Sequence, residues 1–116
     1  MIDALHNNRR EVHVVNVPNR GAVAGLPDHA IVEVPSVIGR AGAAPLAQGR
    51  LPQATRGLVQ TIKEYEQLTI LASEQNSRAL ALKALAVNPL IPSVHMAEVI
   101  LDRLAEAHGA LWPDLR

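Results

Sequence analysis

The sequence predicts an α+β fold, with a small antiparallel sheet in the N-terminal half packed with about three helices in the C-terminal half. Val-rich runs separated by turn residues fill the chain up to about Leu51, and β-branched side chains suit the pleated surface of a strand. After Pro52 the spacing of apolar residues changes to the period of a helix. The 116 residues are 48% hydrophobic, so we expect residues 1–116 to form a single domain.

The strand predictions depend on residue types inside each run and at its ends. Val12–Val17 is the first predicted strand, and the proline that follows it ends the ladder because it has no backbone N–H. Ile31–Ile38 is the second, and Pro35 within it favours an edge position or a bulge. We expect a loop over Gly39–Pro45 and a short third strand within Leu46–Leu51.

Helical spacing and capping residues predict the remaining elements. The first eight residues resemble the tail of a helix. A longer helix begins near Pro52, where proline is tolerated in the first turn, and its apolar stripe is Leu58, Ile62, Tyr65, Leu68, Leu71 and Ala72. Ser77 and Ser93 are predicted N-caps of two further helices, the last of which ends at Gly109. We expect Trp112-Pro113 to anchor the tail.

Composition excludes several classes of function. Eleven basic and eleven acidic residues cancel, and with one Trp, one Tyr and no Phe the chain lacks platforms for stacking bases, so we expect no nucleic-acid partner. The absence of cysteine excludes disulfides, thiol nucleophiles and thiolate metal ligands. No apolar run reaches the length of a membrane span and no signal-peptide pattern opens the chain. We therefore expect a cytoplasmic protein with no membrane partner.

No local motif predicts chemistry within the chain. The five histidines are scattered, without the spacing of a two-histidine helical metal site. Gly39–Gly42 lacks the spacing of a dinucleotide loop, and no G-x-S-x-G elbow occurs. Glu64 and Glu66 are two residues apart on a predicted helix and therefore point to different faces. We predict no catalytic, cofactor-binding or metal-binding residue.

Longer segments, taken in order, resemble a known family. They are the block Asn16–Pro35, then Gln48-Gly-Arg-Leu-Pro, Gly57-Leu-Val-Gln-x-Ile-Lys-x-Tyr-Glu-x-Leu-Thr, Asn88-Pro-Leu-Ile-Pro-Ser and Glu106-Ala-His-x-x-Leu-Trp-Pro-x-Leu. In this order they resemble the C-terminal part of glycoside hydrolase family 4, and most of all 6-phospho-β-glucosidases. The resemblance extends from about Glu11 to Leu115.

The resemblance implies an enzyme of phosphorylated-glucoside catabolism that uses NAD and a divalent metal, Mn²⁺. In this family NAD takes a hydride from C3 of the sugar, the metal polarises the ketone, and a tyrosine base removes the proton on C2. The family's nucleotide motif, metal ligands and tyrosine base precede the segments matched here. The only tyrosine, Tyr65, lies in the predicted helical stripe. We therefore expect the NAD-binding Rossmann domain to be absent from this chain, and neither NAD nor Mn²⁺ to bind the chain alone.

Asn16, Asn19 and Arg20 are the candidate substrate-binding residues, because they lie where a strand ends in a tight turn. An arginine there could bind a 6-phosphate in bidentate fashion; alternatively the asparagines satisfy the turn backbone and the arginine is solvated. We also expect a homo-oligomer in which helices Pro52–Ser73 and Ser93–His108 pair across a two-fold axis. The alternative function is a stand-alone, non-catalytic homodimeric interaction module.

Overall fold

The structure, a computed structural model, describes residues 1–116 and divides into two compact units, Met1–Gln53 and Ala54–Arg116. The first unit contains an antiparallel three-stranded sheet, and the second contains three helices. The predicted α+β class is therefore confirmed.

The first unit begins with a short helix and continues with strands. Their bounds are α1 (Ile2–His6), β1 (Glu11–Pro18), β2 (Val23–Ala24), β3 (Ile31–Gly39), β4 (Gly42–Pro45) and β5 (Gly49–Arg50). The three-stranded sheet has the order β1-β3-β4, and a separate parallel pair joins β2 to β5. The helical tail and the two main strands were placed correctly from the sequence, and the predicted third strand is confirmed only for Gly49–Arg50.

The edge position favoured for Pro35 is wrong, because β3 is the central strand of the sheet. Val14 opposes Pro35 in the β1–β3 pair, and the carbonyl of Pro35 accepts from the N–H of Leu46 on the other side, at 2.9 Å. The N and C=O of one strand residue point to the same side of the strand. The ring nitrogen of Pro35, which carries no hydrogen, therefore faces β4 and not β1. Proline is tolerated there because it removes no hydrogen bond to β1.

The loop predicted over Gly39–Pro45 is also wrong, because Gly42–Pro45 forms β4 and pairs with Ser36–Gly39. A β-carbon on Gly39 would lie 2.7 Å from Oδ1 of Asn8, so a larger residue here would displace the Asn8 side chain. The same oxygen accepts from the N–H of Arg40 at 2.9 Å. The composition of this segment, low in β-branched residues, predicts a loop. Pairing with β3 and the hydrogen bond from Arg40 to Asn8 stabilise a hairpin instead.

One face of the sheet carries the hydrophobic core of the first unit. The buried cluster is Val17, Ala22, Val23, Val32 and Val34, with Val15, Leu26 and Leu51 packed against it. The register explains the cluster, since Val17 opposes Val32 and Val15 opposes Val34, and opposing residues share a face.

The side chain of Asn19 holds together the turn that follows β1. Asn19 is fully buried. Its amide nitrogen donates to the carbonyls of Val23 at 3.1 Å and Leu26 at 2.9 Å, and its oxygen accepts from the N–H of Val23 at 2.7 Å. Its backbone N–H donates to the carbonyl of Ala30 at 2.8 Å. One residue therefore joins β1, β2 and the approach to β3.

The second unit consists of α2 (Gln53–Glu74), α3 (Arg78–Val87) and α4 (Val94–His108), followed by a 3₁₀ turn, Gly109–Leu111. The predicted caps are confirmed: Ser77 Oγ accepts from the N–H of Leu80, Ser93 Oγ accepts from the N–H of Met96, and Gly109 with φ 50° ends α4. None of the helices is long and apolar enough to cross a membrane.

Three of the four buried hydrophobic residues of the second unit are small, namely Ala72, Ala84 and Ala97, and the fourth is Leu101. The tail is anchored as expected, since the ring of Trp112 stacks on His108 with centroids 6.0 Å apart. The last residue also pairs with the start of α3: its N–H donates to the carbonyl of Asn76 at 2.7 Å, and its carbonyl accepts from Arg78 at 2.9 Å.

Replacing Asn19 with alanine should lower the free energy of unfolding of the chain. The substitution removes the acceptor of the buried Val23 N–H and one donor from each of the carbonyls of Val23 and Leu26, and we expect a loss of about 2–4 kcal/mol. Urea denaturation followed by circular dichroism measures it.

The matched control for that variant is Asn16→Ala, three residues earlier, on β1. Asn16 is exposed and its side chain forms no hydrogen bond, so we expect a change within about 0.5 kcal/mol. Equal midpoints for the two variants would show that the Asn19 bonds contribute nothing to stability.

Candidate functional site

Arg20 is held in an unusual backbone conformation at the sheet end. Its φ is 43° and that of the next residue, Gly21, is 83°, so two successive residues adopt left-handed geometry. Glycine does this freely, whereas a residue with a β-carbon pays about 1 kcal/mol. The N–H of Arg20 donates to the carbonyl of Asp28 at 3.0 Å, which fixes the backbone. Glycine or asparagine at this position would have a lower conformational free energy, but the turn has an arginine.

The guanidinium of Arg20 has no partner in the chain. The residue is exposed, and its side chain takes part in no hydrogen bond or ion pair. The neighbouring Asn19 amide is rigidly bonded, so the point from which the side chain projects is well ordered. A planar guanidinium with free donors matches carboxylate or phosphate oxygens in bidentate fashion.

Asn16 lies on the face of the sheet opposite the core. It opposes Glu33 across the β1–β3 pair, and both residues are exposed. Its side chain forms no hydrogen bond within the chain, so both ends of the amide are available. Asn16 and Glu33 are the polar pair on a face whose other members are Val12, Val14, Pro18, Ile31, Pro35, Val37 and Ala44.

The three predicted site residues thus differ in their surroundings. Asn19 points inward and its amide oxygen and both amide hydrogens are used in the turn, whereas Asn16 and Arg20 project from the surface. No hydrogen bond joins the three side chains. Contact with substrate stays a prediction for all three, and the sequence alone does not separate the buried asparagine from the exposed one.

A second turn of unusual geometry was not singled out from the sequence. Asn8 and Arg10 have φ of 52° and 56°. They border a cleft of about 260 Å³ beside the β3–β4 hairpin, which is also lined by Val37, Gly39, Ala41, Gly42 and Ala44. The only signal in the sequence is the Asn7-Asn8 pair, because asparagine tolerates positive φ.

The second unit contains an apolar cavity of about 160 Å³, with Tyr65 in its wall. The other lining residues are Thr69, Ala72, Ala81, Ala84, Leu85, Leu101, Leu104 and Trp112. Tyr65 is half-buried, as the helical stripe predicts. No titratable side chain other than this phenol lines the cavity, so it lacks the acid–base pair that sugar hydrolysis by two carboxylates requires.

The histidines and carboxylates do not converge. The structure contains no group of three or more metal-binding side chains. His13 lies 3.2 Å from Glu11 as a single exposed pair, and His108 stacks on Trp112. Binding of a metal or NAD to this chain is untested by the structure, and our expectation that neither binds stays a prediction.

Comparison with known proteins assigns the chain to a family. The model of the family 4 glycosyl hydrolase C-terminal domain matches residues 1–91. The probable 6-phospho-β-glucosidase of Bacillus subtilis (strain 168) is 41% identical over 113 residues, which are 97% of this chain and 26% of that protein.

Two solved structures have the same fold. A 6-phospho-α-glucosidase from gut microorganisms, in complex with NAD and glucose-6-phosphate, has a TM-score of 0.93 at 34% identity over 99% of this chain and 26% of its own. The 6-phospho-β-glucosidase of Thermotoga maritima, with manganese, NAD⁺ and glucose-6-phosphate, has a TM-score of 0.77 at 36% identity over 84% of this chain and 24% of its own.

The chain spans about a quarter of the length of these relatives. Their activities include both phospho-α- and phospho-β-glucosidases, and nothing in the comparisons supports the alternative of a stand-alone interaction module. The resemblance inferred from the sequence is therefore confirmed at the level of the family: this chain belongs to the C-terminal domain family of the family 4 glycosyl hydrolases.

Proposed function

We propose that this chain acts as the C-terminal domain of an NAD- and divalent-metal-dependent 6-phospho-β-glucosidase, together with a separate Rossmann domain. The proposal is supported by relatives crystallised with NAD, manganese and glucose-6-phosphate. The β-anomer is favoured because the 41%-identical relative is described as a 6-phospho-β-glucosidase. Within such an enzyme the chain supplies scaffold and part of the wall of the sugar pocket.

The observation that carries a role in substrate binding is the strained, unpartnered arginine. Arg20 has φ of 43°, is exposed, and has no anionic partner. Strained positions persist where the surrounding structure holds them, and they cluster at binding sites. We assign the guanidinium to the 6-phosphate of the sugar, with Asn16 as a candidate ligand of a hydroxyl group. Asn19 acts by holding the turn.

We expect neither NAD nor a metal to bind this chain alone. There is no cysteine, no group of three or more metal ligands, and no glycine-rich turn between a strand and a helix. When bound in an enzyme of this family, NAD accepts and returns a hydride and the metal polarises the sugar ketone. This chain's part is to bind and orient the sugar.

A chimera tests the phosphate assignment. This chain replaces the corresponding segment of the Thermotoga maritima 6-phospho-β-glucosidase, and turnover of a chromogenic 6-phospho-β-glucoside is measured with NAD and Mn²⁺. Arg20→Ala should raise KM about 10- to 100-fold, the cost of one charge-assisted pair. Arg20→Lys should recover only part of the loss, because an ammonium group cannot form the bidentate contact.

Two controls separate substrate binding from folding in that experiment. Arg40→Ala removes an exposed arginine in the β3–β4 turn and should leave KM unchanged. The unphosphorylated glucoside, if turned over, should be insensitive to Arg20→Ala. Equal KM for the chimera and its Arg20→Ala variant would refute the assignment. A chimera active only on 6-phospho-α-glucosides would refute the proposed preference for the β-anomer.

The isolated chain should show no turnover of 6-phospho-glucosides and no saturable stabilisation by NAD or Mn²⁺. A specific ligand at 100 times its dissociation constant would stabilise by about 2.7 kcal/mol, which a thermal-shift titration detects readily. Turnover that is lost when NAD is removed would mean that the chain contains a complete site.

A further inference from the structure

The cleft beside the β3–β4 hairpin has an apolar floor. Gly39 and Gly42 oppose each other where the hairpin closes, so no side chain covers the outer face of the sheet at that pair. Val37 and Ala44 form the next pair and provide the floor. An apolar cavity of about 150 Å³ holds a benzene ring. The volume of this cleft, about 260 Å³, therefore suffices for a ring with a small polar group.

The rim of the cleft carries two donor groups that have no partner in the chain. Asn8 Oδ1 accepts from the N–H of Arg40 at 2.9 Å, which leaves Nδ2 of the same amide free to donate. The guanidinium of Arg10 takes part in no hydrogen bond or ion pair. Asn8 and Arg10 are both exposed, and both line the cleft. Two groups that only donate match a ligand that only accepts, which is an oxyanion.

The backbone and the hairpin hold both donor groups beside the cleft. Asn8 and Arg10 have φ of 52° and 56°. Asparagine tolerates this geometry, whereas arginine disfavours it, and such positions cluster at binding sites. Cγ of Arg10 lies 3.7 Å from the place that a β-carbon on Gly39 would occupy. The stem of the arginine therefore lies against the hairpin, and the guanidinium extends from a supported position.

No carboxylate competes with a ligand for these donors. Asp3 forms an ion pair with Arg9, and Glu11 lies 3.2 Å from His13. None of the residues that line the cleft is acidic. Arg40, in the adjoining turn, adds a second guanidinium without an ion pair. The local charge is therefore positive, and it attracts an anion.

We propose that this cleft binds a small molecule with an apolar body and one oxyanion, either a carboxylate or a phosphate. The oxyanion accepts from the guanidinium of Arg10 and from Nδ2 of Asn8. The apolar body lies on Val37 and Ala44. The site is separate from the one proposed at Arg20, because β1 lies between them and its eight residues span about 26 Å.

Asn8→Asp is the decisive variant, because it converts the free donor into an acceptor and changes little else. The retained oxygen still accepts from the N–H of Arg40, and aspartate, like asparagine, tolerates positive φ. Amide chemical shifts of the chain, measured by NMR during titration with phenyl phosphate and with benzoate, give the two affinities. At least one of the two ligands should saturate the cleft of the original chain. The variant should bind it at least about tenfold more weakly, since a buried donor becomes a repelling charge.

Arg10→Gly gives a second test in which loss of folding is not expected. Glycine adopts a φ of 56° freely, so the substitution removes the guanidinium and relieves the backbone. Affinity for the same ligand should again fall at least about tenfold. Far-UV circular dichroism and thermal unfolding establish that both variants are folded.

Two controls separate the cleft from the attraction of any positive charge. Arg103→Ala removes an exposed arginine of α4 and lowers the net charge by the same amount as Arg10→Gly, and it should leave the affinity unchanged. Ala44→Ile fills the floor without altering any charge. It should weaken phenyl phosphate and benzoate more than inorganic phosphate, which needs no apolar floor.

The location of the shifts completes the test. Saturable shifts should occur at Arg10 and in the turn from Gly39 to Gly42, and those at Arg20 report the other proposed site separately. Binding of benzoate alone or of phenyl phosphate alone would support the cleft and identify its oxyanion. Equal affinities of the original chain and Asn8→Asp, or shifts spread over all exposed arginines, would show unspecific attraction and overturn the proposal.

Discussion

The buried amide of Asn19 is the interaction on which the sheet unit depends. It is bonded to the backbone of Val23 and Leu26 while its own N–H pairs with Ala30. These bonds fix the direction in which the chain leaves β1 and returns as β3, and so they fix the register of Val17 against Val32 in the core. They also hold the following residue, Arg20, with its positive φ. Stability and the geometry of the candidate site therefore have one origin.

Local sequence signals predicted much of the fold, because the interactions behind them, such as helix capping, act between residues close in sequence. Ser77, Ser93 and Gly109 act at helix ends through bonds within a few residues, and each was identified correctly. β4 was missed because Gly42–Pro45 contains no β-branched residue, and its pairing with β3 is tertiary. At the candidate site, the turn was recognised from Asn19 and its neighbours. The burial that separates Asn19 from Asn16 depends on Val23 and Leu26, and the sequence pattern does not show it.

The fixed polar geometry of this chain lies in the turn after β1 rather than in a cluster of titratable side chains. Its titratable groups are scattered, and no three metal-binding side chains converge. What it offers is a rigid turn with an exposed arginine, on a sheet whose outer face is largely apolar. The turn is held by the buried bonds of Asn19, so the exposed guanidinium starts from a fixed backbone.

The prolines of the sheet share one geometric property, which is that none replaces a residue that donates within the β1–β3 ladder. The ring nitrogens of Pro18 and Pro45 face away from β3, and that of Pro35 faces away from β1, so none removes a hydrogen bond from the β1–β3 ladder. Pro35 and Pro45 lie where the β4 side of the sheet ends, and Pro18 lies at the end of β1. Proline therefore limits the sheet at three places without weakening the ladder between β1 and β3, which carries the valines of the core.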